Sequence, residues 1–202
     1  MTGVGSVPAA ALDPELDAAV RARPGFGTEA RLDDIAVIRS LRDTPAMLAA
    51  LGRSLPGDDR VAVENREVPG RTPERRLLLR LYRPRHVEGG ALVFLHGGAY
   101  VLGDVYVEEQ RCLHLAAETG ALVVSVEYAL APEEPFPSGL EDAYAGLCWV
   151  SGQAEALGVD RGRIAVGGSS AGAGLAAALA LLARRRGGPE ICFQLLVYPM
   201  LD

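Results

Sequence analysis

The feature that most limits what this chain can fold into is the run Gly168-Ser169-Ser170-Ala171-Gly172. It fits G-x-S-x-G, the pattern that sets a serine on a sharp turn between a strand and a helix. The flanks suit that context. Arg163-Ile164-Ala165-Val166-Gly167 reads as a short buried strand, and Ala173 to Ala180 reads as an apolar helix. A side chain two positions either side of Ser170 would meet the strand or the helix, which accounts for Gly168 and Gly172. Ser170 would stand at the helix N-terminus, where backbone N–H groups and the helix dipole favour a developing negative charge. Alone, the pentapeptide also fits a Gly/Ser-rich turn ahead of a core helix.

A second motif decides between those readings. Ala91-Leu92-Val93-Phe94-Leu95 is a buried-strand run, and His96-Gly97-Gly98-Ala99-Tyr100 follows it directly. Two glycines let the main chain approach a substrate carbonyl and aim N–H groups at its oxygen. The N–H of Ala171, just after the serine, would complete such an oxyanion hole.

With these motifs in this order, the chain resembles the hormone-sensitive-lipase-like branch of the α/β-hydrolases, which includes bacterial carboxylesterases. The resemblance runs from about Val61 to Asp202. It includes Glu127-Tyr128-Ala129-Leu130-Ala131-Pro132-Glu133, Pro135-Phe136-Pro137, Leu140-Glu141-Asp142-Ala143-Tyr144 and Leu196-Val197-Tyr198-Pro199-Met200-Leu201-Asp202. It implies a carboxylic ester hydrolase acting on small-molecule esters, with Ser170 as nucleophile. Gly97, Gly98 and Ala171 would form the oxyanion hole, His96, Gly168 and Gly172 would support it, and no metal or organic cofactor is implied. The chain departs from the branch at Ser169, where Asp is usual, and at Ala173, where Gly is usual. It departs again at Ala129, where Arg is usual, and at Glu134, where His is common. The Ser169 and Ala129 changes are expected to strip hydrogen bonds that brace the serine turn and its neighbouring loop.

A serine hydrolase also needs a base for the serine proton and an acid to orient that base. In this fold the order is Ser, then Asp or Glu, then His. No histidine follows Ser170 here; the three are His86, His96 and His114. His96 belongs to the oxyanion loop, and His86 and His114 read as ordinary surface or helix-face histidines. Asp202 could imitate the triad acid, although in this branch the acid comes later. Laid on the branch's plan, the chain reaches the sixth strand and lacks the segment bearing the triad acid and base. The expectation is a C-terminally truncated hydrolase that is inactive alone. Its open sixth-strand edge could associate with another chain or a complementing C-terminal fragment. The alternative is a non-catalytic, degenerate or ligand-binding protein on the same scaffold.

Composition narrows the partners. Net charge is −6 and pI about 5.2, and every basic side chain is Arg, none Lys. That balance argues against nucleic-acid binding. No secretory leader is visible and the longest apolar run is too short to span a bilayer, so a cytoplasmic location is expected. Cys112, Cys148 and Cys192 read as reduced core thiols.

The layout expected is α/β: a mostly parallel sheet with helices on both faces behind an N-terminal helical lid. Residues 1–59 would form the lid, with helical patterning at Pro14–Arg21 and Asp33–Leu51, and 60–202 a partial hydrolase core, as one domain overall. The lid's apolar residues, Leu32, Ile35 and Leu51 among them, suggest short to medium acyl esters. Val61–Val68 and Arg76–Tyr82 read as an antiparallel hairpin. Later strands are expected at Ala91–Leu95, Leu122–Val126 and Cys192–Tyr198, with helices near Glu108–Glu118 and Leu140–Ala154.

Overall fold

The computed structural model describes residues 58–72 and 74–201. The lid helices, Leu32, Ile35, Leu51 and Asp202 lie outside the described residues. In chain order the elements are β1 (Val61–Pro69), β2 (Arg76–Pro84), β3 (Ala91–Leu95), α1 (Glu109–Thr119), β4 (Leu122–Val126), α2 (Ser138–Gly152), α3 (Ala154–Leu157), β5 (Ile164–Ser169), α4 (Ala171–Arg186) and β6 (Phe193–Val197). The strands form one sheet in the order β1-β2-β4-β3-β5-β6. The β1–β2 hairpin is antiparallel, from Val61 opposite Pro84 to Pro69 opposite Arg76, and β2 lies antiparallel on β4. The three remaining pairings are parallel. Mostly parallel therefore describes the centre of the sheet, while the hairpin turns its β1 edge antiparallel.

Why these residues make a doubly covered sheet is visible in their burial. All five residues of β3 and all five of β4 are buried, as expected where both faces carry helices. On one face α1 packs Cys112, Leu113 and Ala116 against Tyr82, Phe94 and Val123. On the other, α2 and α4 bring Leu147, Leu175 and Leu179 against Leu79, Val93, Leu95 and Val166. Burial of a single such leucine contributes roughly 1.5–3 kcal/mol. Helix α4 stops at Gly187, in the left-handed conformation, after Arg184, Arg185 and Arg186; cations there favour the negative end of the helix dipole.

The connections then decide where a ligand can go. From β3 the chain passes through α1 to β4 on one side, and from β4 through α2 and α3 to β5 on the other side of β3. The strand order reverses between β3 and β5. In open α/β sheets the crevice at such a reversal, outside the carboxyl ends of the strands, is where ligands bind. The carboxyl end of β3 carries His96-Gly97-Gly98 and that of β5 carries Ser170.

The last strand differs from the centre. No residue of β6 is fully buried and Phe193 is 61% exposed. Among the described residues, no strand pairs with its outer edge. The expectation of three core thiols needs correction: Cys112 is buried, but Cys148 is half-buried and Cys192 is exposed, because Cys192 precedes this less covered strand. All three are free. No helix among the described residues is long and apolar enough to cross a membrane.

Candidate active site

Ser170 sits between β5 and α4, as the N-cap of the helix, with φ 52° and ψ −115°. A non-glycine residue in that region is strained by about 1–3 kcal/mol and persists only where its surroundings hold it. Here they do. Ser170 N donates to Val197 O at 2.9 Å, and Ser170 O accepts from Gly174 N at 3.1 Å and Met200 N at 3.0 Å. The glycines perform the expected task. A Cβ at Gly168 would collide with Leu95 O, and one at Gly172 with Leu95 O and His96 O. Only bare backbone lets the turn press against the end of β3.

The β3 loop meets that turn. A Cβ at Gly97 would lie 3.1 Å from Ser169 O and 3.6 Å from Ser170 Cβ. Gly98, Ala99 and Tyr100 all have positive φ, and Gly98 O accepts from Val101 N and Leu102 N. Two carbonyls of the loop are pinned. His96 O accepts from Tyr128 Oη at 2.7 Å, and Gly97 O lies 2.9 Å from His96 Nδ1, whose proton, when carried there, it accepts. In a trans peptide the N–H points away from the C=O. Holding these carbonyls back therefore turns the Gly97 and Gly98 N–H groups to the opposite side. Among the described residues, no backbone hydrogen bond engages the N–H of Gly97, Gly98 or Ala171. The His96 ring is fully buried and stacked on Tyr128, centroids 4.2 Å apart.

Tyr128 is a site residue that motif reading placed without giving it a task. Its segment is bound to the loop again through Ala131 N, which donates to Tyr100 O at 2.9 Å. Beside them Glu127 accepts from Val105 N at 2.8 Å, and burial pushes its carboxyl above the ordinary range. A cavity of about 320 Å³ opens between this segment and α4, lined chiefly by apolar atoms of Tyr100, Tyr128, Phe136, Leu140, Gly174 and Leu175. Gly174 is one helical turn from Ser170, and Tyr100 is two residues from Gly98. Burial raises the Tyr100 phenol above its usual value.

The two departures from the branch's pattern have different outcomes. Ser169 is 1% exposed and its Oγ has no hydrogen-bond partner among the described residues, so bracing there is indeed lost. At Ala129 the expectation fails. Asp142, fully buried, accepts from the Ala129 N–H at 3.0 Å and is neutralised by Arg71 and Arg75 from the β1–β2 loop. Neither arginine lies near Asp142 in sequence, so no local motif announces the contact.

The other histidines stand away from Ser170. His114 is exposed on α1, which packs on the β1, β2 and β4 side of the sheet. His86 follows β2, which runs antiparallel to β4, so it emerges at the opposite end of the sheet from Ser170. Among the described residues no three metal-ligating side chains cluster.

Comparison with known proteins identifies the fold and the family. A profile described as alpha/beta hydrolase fold matches residues 92–202. The chain is 37% identical over 200 residues to the carboxylic ester hydrolase LipN of Mycobacterium tuberculosis, covering 95% of this chain and 51% of the relative. It is 47% identical over 116 residues to the esterase LipI of the same organism, covering 57% of this chain and 36% of that protein. Among solved structures it superposes on a bacterial heroin esterase with TM-score 0.82 at 37% identity, covering 95% of this chain and 59% of that one. The chain thus spans about half the length, or less, of these curated relatives.

Proposed function

The chain belongs to the alpha/beta hydrolase fold family, and we propose that it carries the nucleophile and oxyanion hole of a carboxylic ester hydrolase. The observation that carries this reading is the approach of the Gly97 backbone to the serine turn, so near that a Cβ added at Gly97 would lie 3.6 Å from the Ser170 Cβ. Ser170 Oγ attacks the ester carbonyl carbon while a base takes its proton. The carbonyl oxygen becomes an oxyanion facing the N–H groups of Gly97, Gly98 and Ala171. Collapse breaks the bond to the alcohol, which leaves with a proton, and water then hydrolyses the acyl-serine. The names of the relatives, esterases and a carboxylic ester hydrolase, support the same reaction class.

The cavity beside Tyr100 and Gly174 fits one part of a small ester. At about 320 Å³ it stands at the small end of ligand pockets, which favours short to medium acyl esters. A reducing compartment, the cytoplasm, fits three free cysteines.

No histidine of the 202 residues follows Ser170 in the sequence, where the branch carries its base. We therefore assign the base and its orienting acid to polypeptide outside them, and the outer edge of β6, unpaired among the described residues, is the place where such a segment can add. Without a base, only the residual acceleration of oxyanion hole and binding is expected, on the order of 10³–10⁴ over water. The missing base equally favours the second reading, a ligand-binding scaffold without turnover. The two separate in one assay. Residues 1–202 should hydrolyse p-nitrophenyl butyrate barely above background, and added imidazole should raise the rate by an increment that Ser170→Ala abolishes. A rescue curve identical for protein and variant would remove Ser170 as nucleophile. Strong turnover without imidazole, lost in Ser170→Ala, would show a base within these residues.

A further inference from the structure

We propose that Arg71 and Arg75, on the loop joining β1 to β2, are positioning residues for the oxyanion loop, acting through Asp142 and the segment 127–134. Arg71 Nη1 donates to both oxygens of Asp142 at 2.9 Å, and Arg75 Nε donates to Oδ1 at 3.2 Å while its Nη2 pairs with Oδ2 at 2.9 Å. Glu134 completes a compact set of two cations and two anions. Its Oε1 accepts from Arg75 Nη1 at 2.7 Å and its Oε2 from Arg71 Nη2. Asp142 has no solvent exposure, and a buried carboxylate is stable only with its charge and lone pairs satisfied. The arginines provide that and leave Oδ2 able to hold the Ala129 N–H.

From Ala129 the connection to the site is one residue. Tyr128 donates to His96 O, the carbonyl whose peptide carries the Gly97 N–H, and stacks on the His96 ring, whose Nδ1 meets Gly97 O. The Ala131 N–H reaches Tyr100 O on the far side of the same loop. The segment is thus clamped by the arginines at Ala129, through Asp142, and at Glu134, and it clamps the oxyanion loop at His96 and Tyr100. A hairpin loop far from Ser170 in the sheet order sets the direction of two N–H groups beside it. The guanidinium partners of Asp142 thus arrive from the β1–β2 loop.

The functional meaning rests on Gly97 and Gly98 being oxyanion donors, but the test needs no turnover. In the 15N-labelled 202-residue protein, Arg71→Gln/Arg75→Gln should speed exchange of the Ala129 and Ala131 amides roughly tenfold or more. It should also move or broaden the Gly97 and Gly98 amide resonances, while Val166 in β5 and Leu179 in α4 exchange at the wild-type rate. Arg71→Lys, which keeps the charge and loses the bidentate fork, should displace the same resonances in the same direction by less, and it serves if the double variant does not fold. The proposal is overturned if the Gly97 and Gly98 resonances stay in place while Ala129 loosens. It is equally overturned if exchange rises uniformly across the sheet, or if the Arg71→Lys shifts stop at residues 70–75 and 142. Imidazole rescue in the assay above bears only on Ser170, so failure there leaves this clamp standing.

Discussion

The serine turn and the segment facing it form two walls of one crevice, and they are built by opposite means. At residues 168–172 and 97–100 the shape comes from backbone: glycines without side chains, four non-helical residues with positive φ, and main-chain hydrogen bonds. At residues 127–142 the shape comes from side chains: two carboxylates and two guanidiniums gathered from distant stretches. The first wall has no spare volume; the second has no spare charge. Backbone packed on backbone cannot relax around an added atom, whereas an ion cluster can redistribute its contacts when one member is lost. The two walls should therefore differ in which substitutions they tolerate.

The largest effect is expected at the serine turn. Gly172→Ala drives a methyl group into Leu95 O and His96 O, both fixed in the sheet and its loop. Overpacking against rigid atoms should cost about 3 kcal/mol or more. Gly152→Ala makes the matched control, since a Cβ at the end of α2 meets nothing within 4 Å; it should be neutral or stabilise by up to about 1 kcal/mol. Urea unfolding measures both. If Gly172→Ala is as mild as Gly152→Ala, the first wall has slack and the contrast collapses.

Next comes the ion cluster. Asp142→Ala leaves Arg71 and Arg75 with Glu134 alone and the Ala129 N–H without its acceptor, a loss of about 3 kcal/mol. Arg71→Ala should cost less, about 1–2 kcal/mol, because Arg75 still covers Asp142 through two nitrogens. Equal losses for the two variants would mean that the cluster acts as a rigid unit and does not redistribute.

The same contrast explains what the sequence made legible. A wall built of backbone needs particular residues at fixed spacing, so Gly168, Ser170, Gly172, Gly97 and Gly98 are legible in the sequence, along with β3 and β4 to the residue. A wall built of distant side chains leaves no spacing to read. Arg71 and Arg75 lie 71 and 67 residues from Asp142, within a chain whose basic residues are all arginine. Local comparison with the branch's motifs suggested a weakened loop at Ala129, because it registers a missing partner but not its replacement from another element. At Ser169 the same reasoning holds among the described residues, where nothing takes the missing partner's place.

That difference yields the third expectation. Ser169 Oγ is buried without a partner among the described residues, so Ser169→Ala removes a desolvated hydroxyl and should be neutral or stabilising by up to about 1 kcal/mol. A loss above about 1 kcal/mol, measured by the same unfolding, would show that the hydroxyl is satisfied by water. The serine turn would then have its own polar brace.

The smallest effect tests the seam between the walls. Glu127 belongs to the side-chain wall by its charge and to the backbone wall by its bond to Val105 N, in the loop that continues from Gly98. Burial raises its carboxyl above the ordinary 4.5; Asp104 pushes the same way, while the Val105 N–H and the Arg75 charge oppose. A carboxyl raised in the folded state binds its proton more tightly there than when unfolded. Its favourable contribution is fully present below about pH 4.5 and is lost as pH rises through the folded value. Glu127→Gln keeps an acceptor for Val105 N and carries no charge at any pH. The variant should thus gain on the wild type as pH rises from about 4.5 through the folded value, seen as a widening difference in melting temperature, and then run parallel above it. Were the difference constant, the burial of Glu127 would be matched by its bonds at every pH. Were it to narrow, the Val105 N–H and the Arg75 charge would outweigh desolvation, and the arginine cluster would reach further into the backbone wall than its hydrogen bonds alone indicate.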